Sequence, residues 1–316
     1  MSQNSSKLLI TGGGGFIGSN LIEELNKQGY ENIYILDTMR TPGKYQNLIG
    51  LKFKDLRTSL GGWDCNYDTG FDVCIHLGAI TDTKEQDFNK LLQVNYELSK
   101  KLYRCCPKFI YASSSAVYDQ FGKEENPINT YGFSKLLFDN WLRQGVYKPT
   151  YGLRFTNVYG QREHFKGEMC SILYKYVKEA YTTKNITSFD FEKFEEPESW
   201  IGRDFISVKD ITQVIINIME YIEKPGDPLL NIMDVGTGIT TSFSNLVYLI
   251  QKYFKLHFQS NVENTTIKFP DELFSHYQYV TKANTQQVSK FINNFTSIEK
   301  GIEELINYFI HRGINP

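Results

Sequence analysis

Thr11-Gly12-Gly13-Gly14-Gly15-Phe16-Ile17-Gly18 decides how this chain is read. An apolar run, Lys7 to Thr11, leads into it. Residues 16–28 follow with Ile17, Leu21, Ile22 and Leu25 at helical spacing, and the pattern stops at Gly29, a residue suited to a helix C-cap. The order is strand, glycine turn, helix. Gly12, Gly15 and Gly18 stand in G-x-x-G-x-x-G spacing, which gives a tight turn, a close backbone approach to a pyrophosphate and close helix-on-sheet packing. The helix N-terminus then faces the anion. Four successive glycines alone could be a flexible turn, but Asp37 lies nineteen residues beyond Gly18 at the end of a second strand, Asn32 to Asp37. A dinucleotide site is the expectation. Asp37, with Thr38 beside it, would accept from ribose hydroxyls, as in NAD sites, whereas Arg40 and Lys44 could pair with the 2′-phosphate of NADP, so the choice of dinucleotide stays open here.

The same alternation continues outward. Leu51 to Asp55, Asp72 to His76, Lys108 to Ala112 and Thr150 to Phe155 read as further strands, and residues 87–104 and 134–143 as helices. Short buried strands joined by crossover helices predict a Rossmann-type, doubly wound parallel α/β sheet over residues 1–156, with 203–230 returning to it. Residues 157–316 are expected to form mostly a smaller α/β substrate domain, with helices near 168–182, 208–223 and 242–255. The acidic stretch Asp190 to Arg203 reads as a loop.

The 316 residues carry 34 Lys and Arg against 36 Asp and Glu, so the net charge of −2 gives no electrostatic case for nucleic acid or an anionic membrane surface. No segment approaches the ~20 uncharged apolar residues a membrane span needs, and residues 1–7 lack the apolar stretch of a signal peptide. A cytoplasmic location is the expectation. Cys65, Cys74, Cys105, Cys106 and Cys170 form no C-x-x-C pair and, with His76 as the one histidine near any of them, no zinc pattern; they read as five reduced thiols, and no metal is expected.

A second motif carries chemistry. Tyr131-Gly-Phe-Ser-Lys135 places a tyrosine and a lysine on one helix face, where an ammonium could lower the phenol's pKa, and Ser113-Ser114-Ser115 follow a strand whose end could bring a hydroxyl to the same oxygen. A lone Y-x-x-x-K is common. Behind a glycine-rich dinucleotide turn, the combination is specific.

With TGGGGFIG, HLGAITDT, QVNYELSK around Asn95, YASSSAVY and YGFSK, the chain resembles the extended short-chain dehydrogenases/reductases, the superfamily of nucleotide-sugar epimerases and dehydratases. The 4,6-dehydratases of that superfamily carry an Asp-Glu pair where this chain has Ser115-Ala116, which disfavours dehydration. The segments at 152–169, 202–210 and 269–281 are similar to those of ADP-glycero-manno-heptose 6-epimerases. The resemblance implies Ser114, Tyr131 and Lys135 as catalytic residues and Lys166 as a second acid/base group. It implies Phe16, Ile17, Gly78, Ala79, Asn95, Lys135 and Val158 around a tightly held NAD or NADP, and Asn157, Arg203 and Tyr277 around a nucleotide-diphosphate-sugar in a homo-oligomer. Glu168 and Lys175 stand at substrate positions where that family has serine and histidine, and His276 stands where it has arginine. The same Ser-Tyr-Lys set would serve a 4-epimerase or a 4-dehydrogenase/reductase acting on another nucleotide-sugar. A non-catalytic cofactor-binding regulatory protein would have no chemical reason to hold all three.

Overall fold

In the computed structural model, which describes residues 5–58, 70–191, 194, 201–222, 228–274 and 277–314, the chain begins with β1 (Leu8–Thr11), α1 (Phe16–Lys27), β2 (Ile33–Leu36), β3 (Asp55–Arg57) and β4 (Val73–His76). A continuous helical stretch follows, made of α2 (Phe88–Leu91), a π-helical turn (Leu92–Glu97) and α3 (Leu98–Cys105). Then come β5 (Phe109–Ser114), α4 (Thr130–Arg143) and β6 (Thr150–Phe155). The second half holds β7 (Asn157–Tyr159), α5 (Ile172–Thr183), β8 (Asn185–Asp190), β9 (Gly202–Ser207), α6 (Val208–Tyr221), β10 (Leu230–Val235) and β11 (Thr240–Ser242). It ends with α7 (Phe243–Phe258), β12 (Glu263–Lys268), α8 (Asp271–Phe274) and α9 (Ile298–His311).

Seven strands pair in parallel in the order β10-β6-β5-β4-β1-β2-β3. β1, β4 and β6 are buried along their whole length, as strands of a parallel sheet covered on both faces are. One face packs Leu21, Ile22 and Leu25 of α1 with Ile211, Ile215 and Ile218 of α6, and the other packs Leu102 and Tyr103 of α3 with Phe138 and Leu142 of α4. This is the doubly wound Rossmann arrangement. The strand order reverses between β1 and β4, so the crevice at the carboxyl ends of these strands is where such a sheet binds a ligand. The chain returns to this layer through α6 and β10, and β9 joins β7 and β11 in a separate three-stranded sheet. Around β8 and β12, α5, α7 and α9 close a second core in which Tyr176, Phe205, Phe254, Phe269 and Phe309 are fully buried. Much of the chain's aromatic content is spent there.

Several expectations are corrected. The third strand lies at 55–57 and not at 51–55, because the register sets Tyr34 opposite Asp55 and Leu36 opposite Arg57, while Leu51 and Phe53 pack on the edge of the core. The fourth helix starts at Thr130 rather than 134, since the Asn129 side chain accepts from the Gly132 amide and caps it. α5 starts four residues later than 168, where Ser171 caps it, and residues 164–169 form 3₁₀ turns broken at Gly167 with φ of 53°. Cys74, Cys106 and Cys170 are free thiols, but Cys105 is disulfide-bonded, which overturns the reading of five reduced cysteines. Cys65, His276 and most of the acidic 190–203 stretch lie outside the described residues.

Candidate active site

The glycine turn is shaped for a close ligand. Gly12 has φ of +69°, and a Cβ there would sit 2.7 Å from the Gly78 amide nitrogen; a Cβ on Gly18 would collide with the Gly12 carbonyl oxygen. α1 begins at Gly15 with no side-chain cap and no acidic residue in its first turn, whereas α4, α5, α6, α7 and α9 each begin with an Asn or Ser whose side chain accepts a backbone N–H. The positive end of α1 is therefore left for an outside anion. Asp37 accepts from the Gly14 amide at 2.9 Å and from the Lys44 ammonium at 2.5 Å, and Arg40 and Thr38 are exposed beside it. These residues fit a dinucleotide: a pyrophosphate on the turn and a ribose at Asp37.

Behind the turn runs a hydrogen-bond chain the sequence did not announce. The Gly78 amide donates to Thr11 Oγ1 at 3.0 Å, which leaves the threonine proton for His76 Nδ1 at 2.6 Å. His76 Nε2 faces Ser99 Oγ at 2.8 Å, and Ser99 donates to the Asn95 carbonyl at 2.7 Å. These partners fix the tautomer: Nε2 carries the proton and the ring is neutral. Burial, reinforced by the Lys135 charge, lowers the His76 pKa to about 3. Asn95, on the π-helical turn, grips Ile80 through both its amide N–H and its carbonyl and donates to Ser134 Oγ at 3.0 Å. Asn95, expected around the dinucleotide, is buried and does not line the cleft; it holds Ile80, whose neighbours Ala79 and Thr81 do.

A cleft of about 450 Å³ opens at the ends of β4, β5 and β6. Ser114, Tyr131, Lys135 and Lys166 all line it, with Phe16, Ile17, Ala79 and Val158 on the dinucleotide side and Asn157, Arg203 and Tyr277 beyond. Ser114 lines the cleft with Tyr131 and accepts from the Ala116 amide at 3.1 Å, while Ser113 turns inward to Asp139 at 3.0 Å. Lys135 donates to the Ala112 carbonyl at 2.9 Å, and its ammonium stands 6.0 Å from the Tyr131 ring centroid. Burial raises the Tyr131 pKa, and Ser114 partly offsets it. Burial lowers the Lys135 pKa to about 8, with Asp139 pulling the other way. Lys166 rides on the 3₁₀ segment 5.3 Å from the Phe16 ring centroid, with Glu163 at 3.8 Å.

The far wall is aromatic and was missed. Tyr176, Phe189, Phe191 and Phe243 join Tyr277 there, and the Arg203 guanidinium lies 5.4 Å from the Phe243 centroid and 4.8 Å from that of Tyr277. Phe189 and Phe191 come from β8 and its end and Phe243 from the start of α7, so no local spacing unites them. Glu168 and Lys175 are not in the cleft. Both line a neighbouring cavity of about 270 Å³ behind the segment that carries Lys166.

Residues 8–233 match the model of the NAD dependent epimerase/dehydratase family. The chain belongs to that family. It is 31% identical to an ADP-L-glycero-D-manno-heptose-6-epimerase of Brachyspira hyodysenteriae, covering 94% of this chain and 97% of that protein. The solved ADP-L-glycero-D-manno-heptose-6-epimerase of Helicobacter pylori superposes with a TM-score of 0.78 at 27% identity, covering 97% of each chain. UDP-glucuronic acid 4-epimerase from Bacillus cereus, solved with UDP-glucuronic acid and NAD, superposes with a TM-score of 0.75 at 20% identity, covering 96% of this chain and 99% of that one. The resemblance drawn from the motifs and the doubly wound fold both stand.

Proposed function

We propose that the protein is an NAD(P)-dependent nucleotide-sugar epimerase of the ADP-glycero-manno-heptose 6-epimerase type. The observation that carries this is Lys166, which enters the same cleft as Ser114, Tyr131 and Lys135 from a different element. The chemistry a bound dinucleotide supplies is reversible hydride exchange with a substrate carbon. Inverting that carbon requires the keto sugar to turn over between two poses, and two acid/base groups serve one pose each. Tyr131 takes the hydroxyl proton, and Ser114, which lowers the phenol's pKa, favours the phenolate. Lys166 serves the carbonyl oxygen in the other pose. Lys135 grips the nicotinamide ribose, and Arg203 offers a planar cation to the diphosphate. Net redox change is zero.

The ammonium of Lys44 on Asp37, with Arg40 exposed beside it, supports NADP over NAD, and the mass of the dinucleotide released from purified protein tests that choice. The reading also places the protein in the cytoplasm as a homo-oligomer; light scattering of the purified protein checks the assembly. Incubation with ADP-D-glycero-D-manno-heptose should give the L-glycero epimer at unchanged mass. Turnover only of a UDP-hexose would move the assignment to a 4-epimerase, and net consumption of NAD(P)H would contradict epimerisation.

A further inference from the structure

The loop that carries Lys166 is held at both ends by one side chain. Glu163 is fully buried, and its carboxylate accepts from the Gly160 amide at 3.0 Å and from the amide and hydroxyl of Ser171 at 2.6 and 2.8 Å. Its backbone carbonyl accepts from the Lys166 amide at 2.9 Å. The start of the loop is fastened to α1, the helix that follows the glycine turn. Gln161 and Asn20 exchange two hydrogen bonds, and the Arg162 guanidinium donates to the Ser19 carbonyl at 2.8 Å and to Glu23 at 2.7 Å. Arg162 adopts φ of +71°, a left-handed conformation that is costly for a residue with a side chain and persists only where the surroundings impose it.

Hydrogen bonding alone does not account for a charge at Glu163. A buried carboxylate is costly unless a cation answers it, and among the described residues the cation within 4.0 Å is Lys166, at 3.8 Å. Burial raises the Glu163 pKa, and Lys166 is foremost among the groups that oppose the rise. The separation matters. At 3.8 Å the carboxylate attracts the ammonium but lies beyond hydrogen-bond reach, so it leaves the N–H donors of Lys166 for another acceptor. The ammonium also stands over the ring of Phe16, the first residue of α1, which lines the cleft.

We propose that Glu163 is the positioning residue for Lys166, a buried carboxylate that closes the loop and steers the ammonium into the cleft without taking its hydrogen bonds. This rests on the reading of Lys166 as the second acid/base group. The test compares wild-type holoprotein with Glu163→Gln, which keeps an amide oxygen for the Gly160 amide and the Ser171 hydroxyl and loses the charge. Competitive acetylation with acetic anhydride, followed lysine by lysine by mass spectrometry, needs no substrate. Lys166 should acetylate roughly three-fold faster in the variant, the scale of a modest ion pair, while Lys175 on α5, just beyond Ser171, keeps its rate. Equal rates for Lys166 in the two proteins would overturn the proposal, and so would a rise at Lys166 and Lys175 together, which marks a loop that has come loose. Lys166→Met probes the pair from the other side: it strands the buried carboxylate and should lower Tm by about 2 °C, and an unchanged Tm would overturn the pairing. In turnover, Glu163→Gln should lower kcat about ten-fold with KM and bound dinucleotide unchanged, and an unchanged kcat would overturn the positioning role. If the wild-type protein epimerises no nucleotide-sugar, the epimerase reading fails, while acetylation still decides whether Glu163 places Lys166.

Discussion

The two walls of the cleft are built on different principles. The wall proposed for the dinucleotide is made of backbone: Gly12 and Gly18 have no room for a Cβ, and the Gly78 loop is held by the chain through Thr11, His76, Ser99 and Asn95. The wall proposed for the substrate is made of side chains from β7, the 164–172 segment, β8, β9 and α7. A backbone cradle tolerates few sequences, whereas a side-chain wall can be rewritten one residue at a time. The same redox apparatus can therefore face different sugars.

Breaking the catalytic centre should cost most. Tyr131→Phe should lower kcat on the order of 10²–10⁴-fold while bound dinucleotide is retained, measured by product formation and cofactor release. Lys166→Met should lower kcat by about 10²-fold with fold and cofactor intact; near wild-type turnover would return Lys166 to a surface role. Arg203→Met acts on the other wall, so KM for the nucleotide-sugar should rise about ten-fold, the equivalent of ~1.4 kcal/mol, with kcat little changed.

The smallest effect sharpens the comparison from the dinucleotide side. His76 titrates near 6.5 when unfolded but only at about 3 in the fold, so between those values the unfolded chain binds the extra proton. Its contribution to stability is present above pH 6.5 and is lost as the pH falls toward 3, by at most about 1.4 kcal/mol per unit. His76→Asn should be less stable at neutral pH and should show a flatter loss of Tm on acidification. Parallel slopes for the two proteins would mean that His76 is protonated in the fold.

The contrast also explains what could be read in advance. Gly12, Gly15, Gly18 and Asp37 follow from local geometry, and Tyr131 and Lys135 from one helical repeat. Lys166 was reached only by resemblance, since an exposed-looking loop lysine has no periodicity. The resemblance carried Glu168 and Lys175 into the cleft, and the break at Gly167 with the late start of α5 turns them to the neighbouring chamber. The π-helical turn that presents Asn95 has no signature among apolar positions that an ordinary helix would share. Phe189 and Phe191 lie more than fifty residues from Phe243, so no local spacing unites them.

The most direct measurement follows a deuterium label at C6 of ADP-D-glycero-D-manno-heptose through turnover in ordinary water, with no added dinucleotide. The account predicts the L-glycero epimer at unchanged mass with the deuterium still on C6. Loss of the label to solvent, or turnover only when external NAD(P)H is consumed, would contradict it.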